Sequence, residues 1–243
     1  MIGDSGYNPD EYWRVRCGTK NCIPRLQSPH RDSSMKYQLV IFDFDGTLAD
    51  SYPWFLSVFQ DLAQRYRLPR MDSTDLEKLR GFDVRQILKE YHIPLWKGIL
   101  IGNHLKRLMA SQIEEIHLVD GMQSVIERLG SAGVKLAVVT SNAEKNVRQV
   151  LGSGNLGYFD WIESGVSLFG KKKKFQQILR KTGVPAGQAL SIGDEVRDLH
   201  SARAANIPFG AVTWGYTDRQ ILQAHAPEAL FEHPEQILAA VEG

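Results

Sequence analysis

The sequence predicts an α/β protein: a Rossmann-like, doubly wound parallel sheet that carries an inserted helical cap. Three observations lead there. Short apolar runs ending in small or acidic polar residues recur along the chain, and helical patterns separate them. One stretch, residues 51–119, breaks that alternation with helical patterns only. Runs that are apolar at every position suit strands buried on both faces of a parallel sheet. Strands alternating with helices imply right-handed crossovers.

In chain order, residues 1–35 are rich in Gly, Asn, Pro, Ser and Arg and show no amphipathic period, so they are expected to form a flexible N-terminal extension. Cys17 and Cys22 fall within it. Two sulfurs alone make no zinc site, and inert, unpaired thiols are expected. Leu39-Val40-Ile41-Phe42 is the first strand and ends at Asp43. Trp54, Leu56, Val58, Phe59, Leu62 and Tyr66 then recur at helical spacing, with further helical patterns near 73–80, 83–91 and 95–115. A direct crossover needs far fewer residues, so this insert is expected to be a separate lid. Asp120-Gly121 marks the return, which assigns the core to 36–50 and 120–243. Helical patterns follow near 121–132, 143–152, 173–182 and 196–205. The strands expected among them are 134–139, 159–163, 189–192 and 208–212. Gly130, Gly133 and Gly183 stand near the helix ends, where left-handed caps favour glycine.

Composition narrows the function. Hydrophobic residues make up 43% of the 243, as in ordinary globular proteins. Lys plus Arg number 29 against 28 Asp plus Glu, a net charge of +1, so no global field favours nucleic acid or an anionic membrane. No apolar run reaches spanning length and no signal peptide is evident, so a cytoplasmic protein is expected. Any attraction for an anionic ligand must be local.

Ligands of open α/β sheets bind at the carboxyl ends of strands, and the polar clusters fall there. In Asp43-Phe44-Asp45-Gly46-Thr47, residues two apart point the same way, so Asp43 and Asp45 face one site and Gly46 permits a sharp turn. Two close carboxylates invite a divalent cation and a division of roles between nucleophile and acid/base. Taken alone, the cluster is equally readable as a strand-end turn. Thr140-Ser141-Asn142 closes a strand and opens a helix, a ready phosphate cradle as well as a helix cap. Gly193-Asp194-Glu195-Val196-Arg197-Asp198 supplies acidic groups suited to Mg²⁺, with Asp194 and Asp198 one helical turn apart. Lys171, directly after Gly170, could neutralise phosphate and carboxylate together. Lys172, Lys173 and Lys174 are expected to be solvated.

The order of these four clusters resembles the haloacid dehalogenase superfamily, and the insert after the first cluster resembles its phosphatases with a C1-type cap, notably phosphoglycolate phosphatases. The resemblance covers residues 37–243. It implies that Asp43 is the nucleophile and a Mg²⁺ ligand, and that Asp45 is the general acid and base with its carbonyl on the metal. It also implies that Thr140 holds the phosphoryl group, Lys171 balances charge and Asp194 completes the metal site. Asp198 and Thr47 are expected behind that first layer, and Glu195 stands where Ser or Thr is more usual, which leaves its role open. Arg80, between cap helices, is a candidate substrate contact or a helix-end arginine satisfying carbonyls. The expected partner is a small phosphorylated metabolite, with no nucleic acid or membrane; oligomeric state is left open. A phosphosugar mutase, a nucleotide phosphatase or pyrophosphatase, and a catalytically silent phosphate-binding module remain alternatives on the same core.

Overall fold

A computed structural model describes residues 35–69, 71–82, 84–166 and 170–243, so Cys17, Cys22 and all but the last residue of the expected extension lie outside it. Six parallel strands form one sheet in the order β3-β2-β1-β4-β5-β6. They are β1 (Leu39–Phe42), β2 (Lys135–Val139), β3 (Phe159–Glu163), β4 (Ala189–Gly193), β5 (Phe209–Val212) and β6 (Ala229–Phe231). The first five lie where the apolar runs predict them. β6 was missed because three residues carry no measurable period.

From β1 the chain winds outward through β2 to β3, then returns to place β4 on the other side of β1. The carboxyl ends of β1 and β4 therefore form a topological switch point. Alternation along β1 builds two cores. Val40 and Phe42 join the cluster of Val125, Ile126, Leu136, Ile237 and Val241 on one face. Leu39 and Ile41 join Phe175, Ile178, Leu199 and Phe209 on the other. All four β1 side chains are fully buried, each contributing about 1.5–3 kcal/mol of transfer free energy.

Among the described residues, the insert that follows β1 carries four α-helices: α1 (Ser51–Arg65), α2 (Ser73–Leu79), α3 (Val84–Glu90) and α4 (Leu95–Ser111). Asp72 and Asp75 exchange capping hydrogen bonds at the start of α2, at 2.9 and 3.2 Å. A separate apolar cluster of Phe59, Ala63 and Met71 holds this layer together. It is thin, since α3 buries no residue fully and α4 only Met109. The sheet is covered by α5 (Met122–Ser131), α6 (Glu144–Leu156), α7 (Lys171–Thr182), α8 (Val196–Arg203), α9 (Arg219–Ala224) and α10 (Gln236–Glu242). Among the described residues no helix is long and apolar enough to cross a membrane.

Candidate active site

Asp43 stands at the end of β1, where its N–H donates to the Ile192 carbonyl of β4 at 2.8 Å. Its carboxylate lies at the switch point and is nearly buried. Lys171, the first residue of α7, is buried as well and places Nζ 2.8 Å from Asp43 Oδ1 and 2.7 Å from Asp198 Oδ1. The other lysines of the run diverge around the first helical turn, as a step of about 100° per residue requires. Lys172 and Lys173 are exposed. Lys174 departs from the solvated reading: with Lys181 it pairs with buried Glu163 at the end of β3, at 2.9 and 3.2 Å. A buried carboxylate needs such partners, and the run alone does not reveal where one lies.

Asp194, at the turn after β4, has no exposed surface. Its Oδ1 accepts from Thr47 Oγ1 at 3.2 Å, and its Oδ2 accepts from the Tyr216 N–H at 2.7 Å. Gly46 allows this approach twice over. Its φ of +69° favours glycine, and a Cβ there would stand 2.4 Å from Asp194 Oδ2. Carboxylate oxygens of Asp43, Asp194 and Asp198 lie within 4.8 Å of one another. Asp198 therefore stands close to the other two carboxylates, and its Oδ2 has no hydrogen-bond donor among the described residues. Glu195 turns instead to Arg197, whose Nη2 donates to it at 3.0 Å. Arg197 escaped the sequence reading, although an arginine two residues after Glu195 at a helix start was a usable signal.

Asn142 is held in a fixed orientation by its own turn. Its Oδ1 accepts from Ala143 N at 2.7 Å and Asn146 Nδ2 at 2.8 Å. That fixes the amide so that Nδ2 donates to both Asp45 oxygens, at 2.9 and 3.2 Å. Within the expected cradle, Asn142 therefore holds the second aspartate. Thr140 is buried, with Oγ1 accepting from Asn142 N at 3.0 Å, and Ser141 is partly exposed on the same turn.

The charges are uneven: Asp43, Asp45, Asp194, Glu195 and Asp198 face Lys171 and Arg197. Burial pushes the Asp43 carboxyl up, but the Lys171 ammonium and hydrogen bonding bring it below its ordinary range. Burial and then repulsion from Asp43 raise Asp45 to about 7, against the pull of Asn142. Burial and neighbouring carboxylates also raise Asp194 and Asp198. An excess of hard oxygen donors, one of them without a donor partner, fits an oxygen-liganded divalent cation such as Mg²⁺.

The Asp45 shift has a consequence for stability. Between its unfolded value near 4 and its folded value of about 7, the folded protein holds a proton that the unfolded chain releases, so stability falls as pH rises through that window. Asp45→Asn should remove the penalty. Part of Asp45 still meets solvent, so the gain at pH 8 over pH 4 should be about 1–2 kcal/mol rather than the full shift. Urea melts of metal-free protein at both values check this; equal gains at both would refute it.

Four residues frame the site. Trp214 Nε1 donates to the Thr47 carbonyl at 3.1 Å, and Tyr216 Oη meets Ser51 Oγ at 3.1 Å. Ser51 Oγ in turn accepts from Gly46 N at 3.1 Å. Arg80, at the end of α2, directs Nη2 to the carbonyls of Gly215 at 2.8 Å and Thr213 at 3.3 Å. It does satisfy carbonyls, but those of a core loop and not of its own helix.

Comparison with known proteins gives a consistent result. A family model described as haloacid dehalogenase-like hydrolase matches residues 40–212. The phosphoglycolate phosphatase of Synechococcus elongatus is 29% identical over 205 residues, covering 84% of this chain and 97% of that protein. The Xanthomonas campestris phosphoglycolate phosphatase is 30% identical over 209 residues, covering 82% and 93%. Among solved structures, a candidate phosphoglycolate phosphatase of Lactobacillus plantarum superposes with a TM-score of 0.69 at 26% identity, over 85% of this chain and all of that one. A haloacid dehalogenase-like hydrolase of Streptococcus pneumoniae, at 22% identity and a TM-score of 0.69, shares the fold over 84% of this chain and 98% of its own.

Proposed function

The chain belongs to the haloacid dehalogenase-like hydrolases, and from that membership we propose that it cleaves a small phosphate monoester by way of a phosphorylated Asp43. It is a phosphoric monoester hydrolase of this family. The observation that supports the mechanism most is the different company kept by two aspartates two residues apart. Asp43 meets the Lys171 ammonium at 2.8 Å, while Asp45 meets the neutral Asn142 amide, at 2.9 and 3.2 Å. In keeping with that, Asp43 is favoured as the anion and burial raises Asp45 to about 7. Paired carboxyls driven apart in this way divide into nucleophile and acid/base.

In the proposed sequence an Asp43 oxygen attacks phosphorus while the bond to the leaving oxygen breaks, and the Asp45 carboxyl gives that oxygen its proton. The Asp45 carboxylate then takes a proton from water as the water oxygen attacks phosphorus. The Asp43–phosphorus bond breaks, phosphate leaves, and Asp45 is again protonated. Lys171 offsets charge on Asp43 and the phosphoryl oxygens, and Thr140 offers its hydroxyl from the next strand end. A Mg²⁺ ion held by Asp43, Asp194 and the Asp45 carbonyl, beside Asp198, would supply the remaining charge neutralisation.

Phosphoglycolate is the proposed substrate, on the names of relatives near 30% identity. A screen of purified enzyme against about fifty phosphate esters tests this, since related pockets separate substrates by only a few kcal/mol. Phosphoglycolate should give the highest kcat/KM, EDTA should abolish turnover and Mg²⁺ should restore it. EDTA-resistant activity would sink the metal-assisted mechanism. Turnover that depends on an added sugar bisphosphate would identify a mutase.

A further inference from the structure

One peptide group links the helical insert to the acidic cluster. The carbonyl of Gly215 accepts from Arg80 Nη2 at 2.8 Å, and the N–H of Tyr216, in the same peptide plane, donates to Asp194 Oδ2 at 2.7 Å. A cation on the oxygen side and a carboxylate on the nitrogen side polarise that plane in the same sense. Chains of hydrogen bonds so arranged strengthen one another, more so where water is scarce.

The surroundings make the link specific. Gly215 is buried, and a Cβ there would stand 2.3 Å from Asp194, so the peptide is pressed against the carboxylate. Arg80 holds the loop at two further points. It donates to the Thr213 carbonyl, and its own carbonyl accepts from Asp218 N at 2.9 Å. Its guanidinium lies 5.0 Å from the centre of the Tyr52 ring at the start of α1, and the side chain is only 19% exposed. The Glu77 carboxylate, 3.5 Å away and 63% exposed, is a weak competitor for it. Tyr216 continues the connection, because its hydroxyl donates to the Ser51 carbonyl at 3.1 Å and its ring packs edge-on to Tyr52.

We infer that Arg80 is a positioning residue for Asp194, acting through the Gly215–Tyr216 peptide, and not a ligand of the substrate. The inference rests on the reading of Asp194 as a cation ligand. The link gives the insert a means of setting the ligand's orientation. Where α2 docks on the 213–218 loop, both Asp194 oxygens are held, and where it does not, Oδ2 loses its backbone donor and only the Thr47 hydroxyl still restrains the carboxylate.

The test compares Arg80→Ala and Arg80→Lys with the unchanged protein, using Lys173→Ala as a control. Mn²⁺ affinity is measured by calorimetry without substrate, amide exchange is followed across 213–218, and kcat/KM is taken for phosphoglycolate and for phenyl phosphate. Arg80→Ala should weaken Mn²⁺ binding about tenfold, speed exchange at the Tyr216 amide, and lower kcat/KM for both esters by the same factor. Arg80→Lys, which keeps the charge and can reach one carbonyl, should recover part of each loss. Unchanged or tighter Mn²⁺ binding with an unchanged Tyr216 amide would overturn the inference. So would a loss confined to the carboxylated ester, which would make Arg80 a substrate contact. Neither substrate-free reading depends on phosphoglycolate being the substrate, so the two proposals fail separately.

Discussion

Asp43→Asn should lower kcat by at least about 10⁴-fold, as removal of a nucleophile from a group that acts as a unit does. The amide nearly keeps the shape of the side chain but cannot attack phosphorus. Folding should survive, because Lys171 retains Asp198 at 2.7 Å and the substitution leaves no unpaired ammonium. The native state favours the Asp43 anion, so the metal-free variant should still melt cooperatively but at a midpoint no higher than the parent's. Phosphate release and thermal melts together decide the matter: kcat within tenfold of the parent would remove Asp43 from the mechanism. Labelled phosphate should be trapped covalently on the parent and not on the variant.

The second large effect is expected at Lys171. Its ammonium is buried between Asp43 and Asp198, and those two carboxylates hold it above the usual lysine range despite its burial. Lys171→Met keeps the volume of the stem and removes the charge. Two buried carboxylates then lack their counter-ion, which costs about 3–5 kcal/mol of stability in such settings. The transition state loses a fixed cation worth about 3–4 kcal/mol, or roughly 10²–10³ in kcat. Lys173→Ala should leave turnover within a few-fold. Lys174→Ala should do the same, since Glu163 keeps Lys181 at 3.2 Å. Measured kcat and urea midpoints for the three variants test the assignment. If Lys173 or Lys174 proves as costly as Lys171, the proposed charge balance is wrong.

Most of what places the site is legible in the sequence because the strands are apolar at every position and end abruptly. Phe42-Asp43, Ile192-Gly193-Asp194 and Val139-Thr140 each mark a boundary where hydrophobic burial stops and polar groups begin. Lys171 is legible from Gly170 before it. The direction of an amide is not. Asn142 faces Asp45 because Ala143 and Asn146 occupy its oxygen, a competition among neighbours that spacing cannot express. Asp198 is likewise visible as one turn beyond Asp194, but its place among the buried carboxylate oxygens depends on how α8 packs against β4. Contacts such as Arg80 with Gly215 and Trp214 with Thr47 join residues more than a hundred positions apart. No local pattern encodes them, and only the assembled sheet brings them together.

The pairing of β1 has a kinetic consequence. This central strand, residues 39–42, finds its partners only at 135–138 and 189–192. Closing a loop of about ninety residues rather than the twenty-five or so of a direct crossover adds only about 1 kcal/mol of chain entropy, because the cost grows with the logarithm of length. The helical layer is therefore nearly neutral for the equilibrium. Its toll falls on the search: contacts of such long sequence separation form slowly, so the central strand cannot be a local nucleus. Folding should begin where neighbours in sequence are neighbours in space, as in β2, α6 and β3, and the aspartate at the tip of β1 would be among the last groups to reach its place.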